Sequence, residues 1–166
     1  MKLQPDLNYF NENHSIHDFV SRSPEEHERW CHSVSREVTE FEIAELIRLS
    51  ASGKKIIVDT CIPCDVLHRI SDYNHVAIML SSPDMAVAKF FDRSDAEKRA
   101  MLDAIESGPE PEKTLETFRQ GIARMNSQEV YEQFAESGFF TLVRNDNEND
   151  TREEMLMALA KNFGLE

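Results

Sequence analysis

Apolar positions recur every three or four residues through most of this chain and run consecutively in only three short places. The helical spacing is clearest in Trp30, Val34, Val38, Phe41, Ala44 and Ile47. Ser23-Pro24-Glu25-Glu26 precedes them as a start signal, with Ser23 as cap, Pro24 at the first helical position and Glu26 closing a capping box. Gly53 ends this predicted helix. Further helices are predicted over about Cys64–Ile70, from Ser82 through Phe91, from Ser94 to about Glu106, along the Leu115, Phe118, Ile122 and Met125 stripe, and over about Gln128–Glu136. A final helix opens at Thr151–Glu154, turns Leu156, Leu159 and Phe163 inward, and stops at Gly164.

The three consecutive runs are Lys55–Asp59, Val76–Leu80 and Phe139–Val143, short and rich in β-branched or aromatic residues. They read as strands buried on both faces. Strand, helix and strand joined by short links make a βαβ unit, so the three strands are predicted to lie parallel in one sheet. Residues 1–22 are polar and aperiodic, an arm of loop and short helix ahead of a body spanning 23–166. The whole chain of 166 residues fits one α/β domain.

Composition narrows the partners more than the fold. The formal charge is −13, and the longest basic run is Lys54-Lys55, so a nucleic acid would be repelled. No run of about 18 apolar residues predicts a membrane span, and the N-terminus lacks the apolar core of a secretory signal. Three cysteines, an odd number, favour a reducing, cytoplasmic setting over a disulfide scaffold.

Candidate chemistry lies where predicted strands end. Asp59, at the carboxyl end of the first, sits where α/β sheets bind ligands and could orient Mg²⁺ or accept a hydroxyl proton; it could equally cap the next helix. Cys61-Ile62-Pro63-Cys64 has the form of a redox motif at a helix start, or holds two incidental thiols. The six histidines pair with no second set at zinc spacing, so no metal site is assigned, and surface or capping roles are expected of them. Phe90-Phe91-Asp92-Arg93 would present Arg93, whose planar fork suits phosphate, or form an ion-paired junction. Arg144-Asn145-Asp146 follows the third strand and could dock a purine ring or simply turn.

In order, these pieces resemble the C-terminal two-thirds of bacterial P-loop small-molecule kinases of the shikimate kinase-like group. The resemblance rests on Ser23-Pro24-Glu25-Glu26 with Trp30, Ile56-Ile57-Val58-Asp59-Thr60 with Ile62-Pro63, and Ser71-Asp72-Tyr73-Asn74 leading into His75–Leu80. It continues through Phe90-Phe91-Asp92-Arg93, Ser137–Arg144 and the closing helix to Phe163-Gly164-Leu165. It implies a three-layer parallel sheet, here incomplete. The first strands and phosphate loop are missing, since none of the five glycines frames a G-x-x-x-x-G-K-[ST] loop. It also implies ATP and Mg²⁺ as cofactors, a small hydroxylated metabolite as substrate, Asp59 as the acidic strand-end residue, Arg93 as a lid arginine, and Arg144 with Asn145 as the adenine loop. Without its phosphate cradle such a chain is expected to be inactive alone, with a gap filled by self-association or by a missing N-terminal half. Two other readings stand beside it: a non-enzymatic binding or assembly module, and a thiol-redox protein using Cys61 and Cys64.

Overall fold

The computed structural model describes residues 4–12, 14–92, 95–144 and 151–165. Helix dominates them. After a 3-10 turn at Tyr9–Asn11 come α1 (Ile16–Val20), α2 (Pro24–Ser50), α3 (Cys64–Ile70), β1 (Ala77–Ser81), α4 (Pro83–Ala88), α5 (Ala96–Glu106), α6 (Pro111–Met125), α7 (Gln128–Ala135), β2 (Phe140–Arg144) and α8 (Arg152–Asn162). The chain divides into two compact units, residues 1–63 with 100–121 and residues 64–99 with 122–166.

The first unit is built on α2. Its start follows the sequence signal: the Glu26 amide donates to Ser23 Oγ at 3.2 Å, and the Ser23 amide donates to the Glu26 carboxylate at 2.9 Å. Beyond the helix, Gly53 takes the left-handed turn at φ 68°, which other residues reach only with strain. The N-terminal arm lies along α2 because Glu37 accepts from the amides of Asp6 and Leu7, the latter at 2.7 Å. Phe19, Val20, Ile105 and Phe118 are buried in this unit, with Phe19 edge-on to both Trp30 and Phe118.

The second unit holds the sheet. β1 and β2 pair in parallel from Ala77 opposite Phe140 to Ser81 opposite Arg144, one residue later than each strand is predicted. Val76, Ile78 and Phe139 are buried around them, α7 packs on β1 and α8 on β2. Gly138 (φ 80°) turns the chain into β2, and His68 locks that turn: its ring stacks on Phe139 at 4.2 Å and its Nε2 lies 2.7 Å from the Ser137 carbonyl oxygen.

Three expectations fail. The sheet has two strands among the described residues, so the protein is not the three-layer parallel sheet of P-loop kinase type. Lys55–Asp59 forms no strand. The chain runs from Lys55 to Pro63 without helix, ladder, turn or bend, and Ile56, Ile57 and Val58 stay 39%, 69% and 46% exposed. β-Propensity expresses itself only against strand neighbours and a covering face. The described residues offer this segment no ladder. In α8, Leu156 is exposed rather than inward, while Leu159 and Phe163 are partly covered.

In the first unit Gly121 packs closely against a side chain of another helix. A Cβ there would lie 3.3 Å from three atoms of His27, a residue clamped between Phe19 and Phe118. Gly121→Ala gains about 1 kcal/mol of helix propensity against about 1–3 kcal/mol of overpacking. The expected outcome is a net loss near 1 kcal/mol by urea unfolding, shrinking in a His27→Ala background.

Candidate functional site

The residues picked out by sequence fall in separate units or outside the described residues. Asp59 is exposed, lies in the first unit and ends no strand. Arg144 is exposed at the end of β2, in the second unit. Arg93 and Asn145 lie outside the described residues, as does Ser94, the predicted cap of α5. Next to Arg93, the rings of Phe90 and Phe91 meet edge to face at 5.0 Å, and the Lys98 ammonium sits 4.8 Å from the Phe90 ring centre.

At the carboxyl end of β1 a shallow cavity of about 170 Å³ is lined by Leu80, Ser81, Pro83, Met125, Val130 and Tyr131, among others. A drug-sized ligand needs about 300–1,000 Å³, and no charged side chain lines this cavity. With Asp59 off the sheet as well, the residues here do not fit ATP and Mg²⁺. Among the described residues no three His, Cys, Asp or Glu side chains group to hold a metal ion.

Cys61 and Cys64 carry free thiols. Burial pushes the Cys61 thiol above its ordinary value, and the Glu42 and Asp59 carboxylates add to that. Burial and then Asp65 do the same to Cys64. A thioredoxin-like nucleophile needs the opposite shift.

The most unusual electrostatic arrangement, which the sequence reading misses, is in the first unit. The Arg22 guanidinium lies 4.2 Å from the ring centre of Tyr9 and 5.0 Å from those of Phe19 and Trp30. Each aromatic face attracts the cation. His27, expected at the surface, is only 5% exposed. Its ring lies 5.5 Å from Phe19 and 5.1 Å from Phe118. Arg22 Nη1 and His27 Nδ1 are both buried with no hydrogen-bond partner among the described residues. A signal was present in the sequence: His27 precedes Trp30 by three residues and Cys31 by four, on the face of α2 that the apolar stripe defines. The arrangement fixes the arm by charge and aromatic contact and contains no nucleophile activated for catalysis, because burial also raises the Cys31 thiol, against the opposing pull of Arg22.

Comparison of the chain with protein-family models, with characterised proteins and with solved structures finds no match.

Burial, and secondarily Arg22, hold His27 below its ordinary value of 6.5. Between that lowered value and 6.5 the unfolded chain binds more protons than the folded one. Stability therefore rises with pH across this window and is lost as pH falls below about 6.5, by at most about 1.4 kcal/mol per pH unit. Urea midpoints measured from pH 7.5 to 5.5 should fall in the parent and stay flatter in His27→Gln. For the thiols, iodoacetamide should label Cys61 and Cys64 at pH 7 more slowly than free cysteine. Labelling should accelerate only above the pH at which an ordinary thiol ionises.

Proposed function

We propose that this protein is a non-enzymatic binding or assembly module whose working surface is the Lys55–Asp59 run. One observation carries the reading: three consecutive β-branched residues are held in solvent, with the middle one the most exposed. The alternation of 39%, 69% and 46% has the period of two that a strand would show, with Ile57 facing away from the residues on either side. Such a run presents backbone donors and acceptors to whatever strand arrives, and strand addition is a recurrent mode of recognition.

The kinase reading loses its premise, because it needs Asp59 at the end of a sheet strand. The redox reading is opposed by the direction in which both thiols are shifted. A protein partner suits a chain of charge −13 better than a nucleic acid does. A reducing, cytoplasmic setting fits the three free thiols. No helix of the described residues is long and apolar enough to cross a membrane.

A synthetic peptide copying Lys54–Thr60, added in excess to the full chain diluted to a single copy, should slow hydrogen exchange along one edge of the run, either at the Ile57 amide or at those of Ile56 and Val58, because successive amides of a strand point to opposite sides. Ile57→Lys should abolish that protection and change the urea midpoint by no more than about 0.5 kcal/mol, because the side chain is exposed. Unchanged, fast exchange at all three amides would overturn the reading. Micromolar, Mg²⁺-dependent ATP binding in titration calorimetry would restore the kinase in its place.

A further inference from the structure

We infer that the occupant of the Lys55–Asp59 surface is a second copy of this chain, paired antiparallel across a two-fold axis through Ile57. The inference rests on the assembly reading above and adds the partner and the register. The charge pattern of the run carries it. In an antiparallel pair centred on Ile57, Lys55 stands opposite Asp59 of the second copy and Asp59 opposite its Lys55. Ile57 meets Ile57, while Ile56 meets Val58 on the other face. Every cross-strand pair is then either oppositely charged or β-branched on both sides, the combinations that stabilise antiparallel pairing. Shifting the register by two residues places Lys55 opposite Ile57 and takes it away from Asp59. The sequence is thus self-complementary in one alignment, as an isologous interface requires.

Exposure agrees with that alignment. Lys55, Ile57 and Asp59 share the outward face, and all three are exposed. A five-residue strand covers only part of the roughly 800 Å² per partner of a standard interface. More apolar area lies close by. Thr60 Oγ1 donates to Glu42 Oε2 at 2.8 Å, which ties the end of the run to the half of α2 where Phe41 and Ile47 are exposed.

The test is a charge swap in the full chain, read by light scattering on a sizing column against the 19.1 kDa of one chain. The parent should give twice that mass. Lys55→Glu alone and Asp59→Lys alone each place like charges opposite one another at two symmetric positions, and each should weaken dimerisation about tenfold. Mixing the two variants restores opposite charges at both positions, so the mixture should recover the parent's affinity as a heterodimer. The double variant Lys55→Glu/Asp59→Lys should recover it as a homodimer. A parent that stays at one chain's mass up to millimolar concentration overturns the second-copy inference. So does dimerisation indifferent to both reversals. If the Lys54–Thr60 peptide still protects the amides in either event, the assembly reading survives with a foreign strand as the partner; if it does not, both fall.

Discussion

A strand needs a neighbour before it is a strand. Its N–H and C=O groups point sideways, and only a ladder or water satisfies them. That constraint divides the three β-prone runs of this chain. Ala77–Ser81 and Phe140–Arg144 find each other and form a parallel pair, each in contact with a helix. Ile56, Ile57 and Val58 have a stronger β-branched character than either, yet they remain outside any ladder and partly exposed. What distinguishes the runs is the presence of a partner, and side-chain preference decides nothing until one is there.

The first unit meets a different constraint. Its packing brings a cation and a buried imidazole into aromatic surroundings. Arg22 is tolerated because three ring faces surround it and a guanidinium is only weakly hydrated. His27 is tolerated because it is held neutral. The close approach of α6 is permitted by Gly121, which leaves room for the His27 ring. The arm, the start of α2 and the middle of α6 therefore depend on one small set of side chains. A charge added there by protonation opposes all of them together.

Local signals were legible in the sequence wherever local chemistry decides the structure. Ser23-Pro24-Glu25-Glu26 starts its helix by the two hydrogen bonds its residue types predict, and Gly53 and Gly164 adopt the positive φ expected of glycines that end helices. The stripe of Phe118 and Ile122 on α6 is buried as its spacing requires. Lys55–Asp59 misled because its pattern describes a strand in a complete sheet, and pattern does not record whether the neighbours are there. Asp59 lies in this run, so the strand end from which its proposed role came is not there. His27 was overlooked because histidine alone says little. Only its phase relative to Trp30 and Cys31 on the helix face marks it as inward.

The same reasoning bears on why an exposed β-branched run need not drive open-ended aggregation. Ile56-Ile57-Val58 is three residues long, shorter than the six or seven that make a self-stacking segment, and Lys54-Lys55 and Asp59 close it on both sides. Charges at the ends of a strand permit pairing in the alignment that matches them and oppose displaced ones. With −13 on each chain, repulsion grows with every copy added, so each further step of association gains less than the one before. A short, charge-bracketed strand on a strongly acidic chain favours a closed pair over a fibre.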